Sequence, residues 1–107
     1  MDKPEAVRRL PIACTLGPET LKTRRDDLLG SLVRRAEERL DVSHGYRLRF
    51  AAGEGVLATI ANVIELERQC CRFLTFHVIV EPDDGPIWLE VTGPPGTREF
   101  LDGMFDL

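Results

Sequence analysis

Apolar and polar residues alternate from Pro11 to Leu16, so that Ile12, Cys14 and Leu16 point to one side of a candidate strand. Gly17-Pro18-Glu19 then opens a helix, with the proline in the first turn where its missing N–H costs nothing. Leu21, Leu28, Leu32, Ala36 and Leu40 recur at helical spacing and predict that this helix runs to about residue 41, where Ser43-His44-Gly45 ends it. Alternation returns from Tyr46 to Ala51, with Tyr46, Leu48 and Phe50 set against Arg47 and Arg49. After Gly53-Glu54-Gly55 a second helix is predicted from Val56 to Phe73, a stretch free of proline and glycine. Thr75 to Glu81 and Pro86 to Thr92 read as two strands joined by Pro82-Asp83-Asp84-Gly85, a linker short enough and rich enough in turn formers for a hairpin. Gly93-Pro94-Pro95-Gly96 leads into a short last helix with Phe100, Leu101, Met104 and Phe105 on its apolar face.

The predicted order is β-α-β-α-β-β-α. Strands separated by helices normally run parallel with a right-handed crossover, whereas the last two form an antiparallel hairpin. The fold class expected is therefore α+β, a four-stranded mixed sheet with helices packed on it. Residues 1–10 read as a flexible segment and 11–107 as a single domain. If the helices share one face, the other face carries Arg47, Arg49, His77, Trp88 and Glu90, and is either solvated or a dimer surface.

The second helix holds the least expected residue. An α-helix turns about 100° per residue. With Ile60 at the centre of the buried stripe, Ile64 and Cys71 fall within about 40° of it, and Glu67 falls almost at the centre. Burying a carboxylate is costly unless it is paired, protonated or bound. One reading gives Glu67 an ion pair with Arg47 or Arg49, or a hydrogen bond to Tyr46. The other makes Glu67 and Cys71, one turn apart, a bidentate metal face, with Cys14 arriving from the first strand as a third ligand. Cys70 lies about 100° round the helix from Cys71 and reaches the same ion only if the helix frays.

Composition removes several classes of function. Of 107 residues, 43% are hydrophobic and 30% charged, which is ordinary for a folded protein. The net charge is −4 and the 14 basic residues are dispersed, so no basic stripe for nucleic acid is evident. No apolar run has the roughly 20 residues of a bilayer span. Residues 1–10 lack the apolar core of a secretory signal, so a cytoplasmic location is expected. The three cysteines, Cys14, Cys70 and Cys71, then read as reduced thiols. No paired zinc knuckle, HExxH, phosphate loop or dinucleotide fingerprint is present. His44 and His77 read as structural or solvated. The cysteines lie near a helix C-terminus, whose dipole disfavours a thiolate, so a nucleophilic thiol enzyme is the weaker expectation.

The run Glu65-Leu66-Glu67-Arg68-Gln69-Cys70-Cys71-Arg72-Phe73-Leu74-Thr75-Phe76, together with Ile12-Ala13-Cys14-Thr15-Leu16, Ile87-Trp88-Leu89 and Thr92-Gly93-Pro94, resembles a small bacterial family with an E-R-x-C-C-x-F-L-x-F signature. The resemblance spans most of the chain from about residue 11 and implies a family without implying a reaction. A similar vicinal-cysteine helix occurs in some proteins linked to mercury or arsenic handling. Two functions are therefore expected to compete. The first is a thiol-based accessory protein that binds a soft ion such as Zn(II), Hg(II) or As(III) through Cys14, Glu67, Cys70 and Cys71. The second is a non-enzymatic, dimeric interaction or small-ligand module in which the cysteines are packing.

Overall fold

Ser43 and His44 are all that separates two short alternating runs, and a two-residue connection joins antiparallel neighbours. The computed structural model describes residues 29–105 and shows that hairpin at one side of an antiparallel sheet. Among the described residues the elements are α1 (Leu29–Arg35), β1 (Glu38–Val42), β2 (Gly45–Phe50), α2 (Val56–Cys70), β3 (Thr75–Val80), β4 (Ile87–Thr92) and α3 (Thr97–Phe105). The four strands lie in the order β1-β2-β4-β3, and every pairing is antiparallel. The class is α+β, as expected.

Two expectations about its topology are corrected. The helix predicted to reach residue 41 ends at Arg35, and Glu38–Val42 is a strand. Leu40 fits a helical repeat after Leu32 and Ala36, but it also alternates with Arg39 and Asp41, and pairing with Tyr46 to Arg49 decides the matter. The sheet is also not mixed. The α2 crossover does carry the chain between strands of the same direction, but β4 turns back and inserts between β2 and β3. The two parallel strands thus never touch. The strand predicted at Pro11 to Leu16 and the start of the first predicted helix lie outside the described residues.

The three described helices pack on one face. Leu29 and Leu32 from α1, Ile60 and Val63 from α2 and Leu101 from α3 meet Tyr46, Leu48, Phe50, Ile87, Leu89 and Val91 of the two central strands. Leu48 and Leu89 stand opposite each other in the register and are fully buried. The β1–β2 turn is fixed from both sides. His44 takes a left-handed φ of 61°, and Gly45 lies so close to β4 that an added Cβ would sit 1.9 Å from the Val91 carbonyl oxygen. Arg98 of α3 donates to the carbonyls of Val42 and Gly45, and the Tyr46 hydroxyl donates to Asp102 on the same helix. A helix late in the chain thereby clamps a hairpin that precedes it by more than 50 residues.

At the other end, α2 begins after Gly55, which has a φ of 80°. It ends at Cys70, three residues short of the predicted end, because Cys71 adopts φ −108°, ψ 79°. Thr97 starts α3 with its hydroxyl donating to the Pro94 carbonyl at 2.7 Å. Phe100 then meets Phe73 edge-on at 5.2 Å between centroids, joining α3 to the segment that follows α2.

Candidate functional site

The wheel placed Glu67 and Cys71 inside, and both are buried, at 2% and 1% exposure. The Cys71 amide donates to the Glu67 carbonyl at 2.7 Å, so the two backbones stay one turn apart even though Cys71 has left the helix. Each of the two residues is engaged by neighbours. The arginines and tyrosine expected beside Glu67 are committed elsewhere: Arg47 bonds Glu90, Arg49 bonds Glu37, and Tyr46 bonds Asp102. Arg47 and Arg49 lie on the face of the sheet opposite the helices. Cys14 and the side chain of Cys70 lie outside what is described. Among the described residues no three His, Cys, Asp or Glu side chains gather as a metal site. A thiol shut off from solvent, as Cys71 is, lacks the access that a reactive cysteine needs.

The open face of the sheet is largely satisfied by its own charges. The register brings Arg47, Glu90 and His77 into one cross-strand row. Arg47 reaches Glu90 at 2.6 Å and His77 Nδ1 lies 3.3 Å from the same carboxylate. The Arg47 and His77 hydrogen bonds hold the Glu90 carboxyl below its usual range, against a smaller opposing effect of burial. In the next row the Arg49 guanidinium lies 6.0 Å from the centroid of the half-buried Trp88 ring. This face is neither bare nor a continuous apolar patch.

Among the described residues, the two edges of the sheet differ more than its faces do. An edge strand presents backbone groups ready to pair with another chain, and charged side chains are a common way to blunt it. Edge β1 carries Glu38, Arg39 and Asp41 among its five residues. Edge β3 is Thr-Phe-His-Val-Ile-Val, with no lysine, arginine, acid or proline. Its last three residues are exposed on both faces: Val78 at 39%, Ile79 at 48% and Val80 at 55%. The Glu81 amide donates to the Pro86 carbonyl at 3.2 Å, toward β4. Because successive residues of a strand alternate in the direction of their backbone groups, those of Val80, Val78 and Phe76 face away from β4. Sequence reasoning assigned β3 to the sheet without marking this edge. The signal available was the unbroken β-branched run Val78-Ile79-Val80, which departs from the alternation of a half-buried strand.

Beside Val80 lies a cleft of about 540 Å³ between the 52–54 loop and the β3–β4 turn, with Glu54, Glu81 and Asp84 in its lining. Asp83 and Asp84 both take a φ of 58°, which turns the chain sharply there. Among the described residues no helix is long and apolar enough to cross a membrane. Compared with family models, with curated proteins and with solved structures, the chain finds no match.

Proposed function

We propose that this chain is a non-enzymatic interaction module that presents β3 as an edge for strand addition by a partner, with Cys71 serving as packing. The observation that carries this reading is the exposed trio Val78, Ile79 and Val80 on a strand whose outward backbone groups face away from the sheet. Strand addition satisfies those groups and removes apolar surface at the same time. The contrast with charged β1 supports it, because the same sheet shields one edge and leaves the other apolar. Hydrogen–deuterium exchange on dilute, full-length protein tests it. Fast exchange is expected at the amides of Phe76, Val78 and Val80 beside slow exchange at His77 and Ile79, whose amides face β4. Protection of the first three in a monomer means that the chain covers its own edge, and the reading then fails.

A second reading is a thiol-based site for a soft ion such as Zn(II), Hg(II) or As(III), held by Cys14, Cys71, Cys70 and Glu67. It is favoured by the burial of Glu67 and Cys71 one turn apart, since metal-ligating groups at such spacing share a face. Intact-mass spectra of the full chain with added Zn(II) or As(III) check it. A triple Cys→Ser protein that binds the ion as well as the parent removes this reading.

A further inference from the structure

We infer that the partner of β3 is β3 of a second copy of this chain, paired antiparallel about a two-fold axis at Ile79. The inference rests on the reading of β3 as the working edge and names what occupies it. Antiparallel self-pairing about a two-fold axis normal to the sheet places residues of the same face opposite each other, so the axis passes through one residue and its copy. Centred on Ile79, the axis sets Ile79 against Ile79 of the partner subunit. On the helix-bearing face it sets Val78 against the partner's Val80, and Val80 against the partner's Val78. All three exposed apolar side chains of each copy therefore meet apolar side chains. Their backbone groups point outward, so Val78 and Val80 also form two hydrogen-bonded pairs, each exchanging both of its N–H···O bonds.

The polar side chains choose the register. On the open face, pairing about Ile79 brings His77 opposite the partner's Glu81 on both sides of the axis, an arrangement that uses the only ionisable side chains between residues 75 and 81. Each His77 then lies between its own Glu90, 3.3 Å away, and the partner's Glu81. Shifting the axis to Val78 puts His77 against the partner's Ile79 and Glu81 against the partner's Thr75, which faces an imidazole with an apolar side chain and discards both His–Glu pairs. About Ile79, Pro82 stands opposite the partner's Phe76 at the end of the ladder, whereas an axis at Val80 moves it opposite the partner's Val78, inside the ladder, where its missing N–H costs a pairing. The surface involved is a strand edge rather than a broad face, so the association belongs at the small end of specific interfaces and is reversible with dilution.

Cysteine trapping in the full chain tests both the partner and the register. A non-hydrogen-bonded antiparallel pair holds its Cα atoms about 4.5 Å apart, within reach of a disulfide. Ile79→Cys is expected to give a covalent dimer under mild oxidation. Val78→Cys is not, because its copy is displaced by two residues along the strand, and the unaltered protein is the control for its own thiols. Sedimentation velocity on the unaltered protein should show a monomer–dimer equilibrium, weakened about tenfold or more by Ile79→Lys, which sets two like charges on the axis. Trapping by Val78→Cys in place of Ile79→Cys overturns the register. A monomer up to millimolar concentration with no trapping by either variant overturns the second copy as partner. If β3 exchanges fast in that monomer, the wider reading of the edge stands alone; if it is protected, both fall.

Discussion

Tyr46→Phe removes one oxygen from the clamp between α3 and the β1–β2 hairpin, and its effect can be worked out from what surrounds it. The tyrosine is buried in the core face of β2, with its hydroxyl donating to Asp102. Arg39 lies 5.3 Å and Arg98 6.0 Å from the ring centroid. Phenylalanine keeps the ring and both of those contacts, so the change isolates the hydrogen bond. A hydrogen bond to a charged group contributes about 1.5–3 kcal/mol, and Asp102 is only half-buried and regains water when released. A loss of about 1–2 kcal/mol is therefore expected, read as a lower midpoint in urea denaturation at an unchanged slope. There is a second signature in alkali. Burial, followed by the Asp102 hydrogen bond and its negative charge, pushes the Tyr46 hydroxyl from 10 up to about 12. Since the folded value lies above the unfolded one, this contribution is whole below pH 10 and is lost as pH climbs toward 12, at up to about 1.4 kcal/mol per pH unit. Tyr46 is the sole tyrosine in the chain, so tyrosinate absorbance follows it alone. A midpoint near 10 in the folded protein, or an equal alkaline decline in Tyr46→Phe, would refute the clamp.

Three further outcomes follow from the packing. Gly45→Ala brings a methyl group against the backbone of Val91 and Thr92, which cannot swing aside as a side chain can, so a loss of about 1–3 kcal/mol or more is expected in chemical denaturation. Leu89→Ala empties a fully buried position in a central strand and should cost about 2–5 kcal/mol by the same assay. For Glu90, whose carboxyl is held below its usual range, the stabilisation is present at neutral pH and lost as pH falls through the folded value. Glu90→Gln should therefore flatten the acid limb of the stability–pH curve, by less than about 1 kcal/mol because Arg47 and His77 remain well solvated.

Local pattern was enough to locate most of the elements. Tyr46 to Phe50, Thr75 to Val80 and Ile87 to Thr92 alternate or run apolar between turn formers, and each is a strand within a residue or two of its expected bounds. Glu67 was placed inside by the helix wheel alone, and it is inside. What local pattern could not supply was anything settled by distant partners. Leu40 satisfies both periods, and only the neighbouring β2 makes it a strand residue. The insertion of β4 between β2 and β3 is a choice of neighbour that leaves no mark on spacing. The end of α2 is similar in kind. Cys70 and Cys71 look like one motif in sequence, yet the helix stops between them, and the thiol that follows the break turns inward.

That same limit explains why the edge escaped notice and why it matters. A continuous β-branched run such as Val78-Ile79-Val80 is the composition that burial on both faces demands. The fold gives the run a central strand's composition and an edge strand's position. Covering those residues therefore requires something beyond the described residues of one chain. A strand in that position that pairs with nothing would carry the aggregation hazard that β1 avoids with Glu38, Arg39 and Asp41. Closed, two-fold pairing about Ile79 removes the hazard as well as the surface, since an isologous contact consumes both β3 edges and leaves only the charged β1 edges outermost. An open-ended partner would not. If the full chain forms growing oligomers instead of stopping at a dimer, the edge is shared head to tail and the two-fold account is wrong.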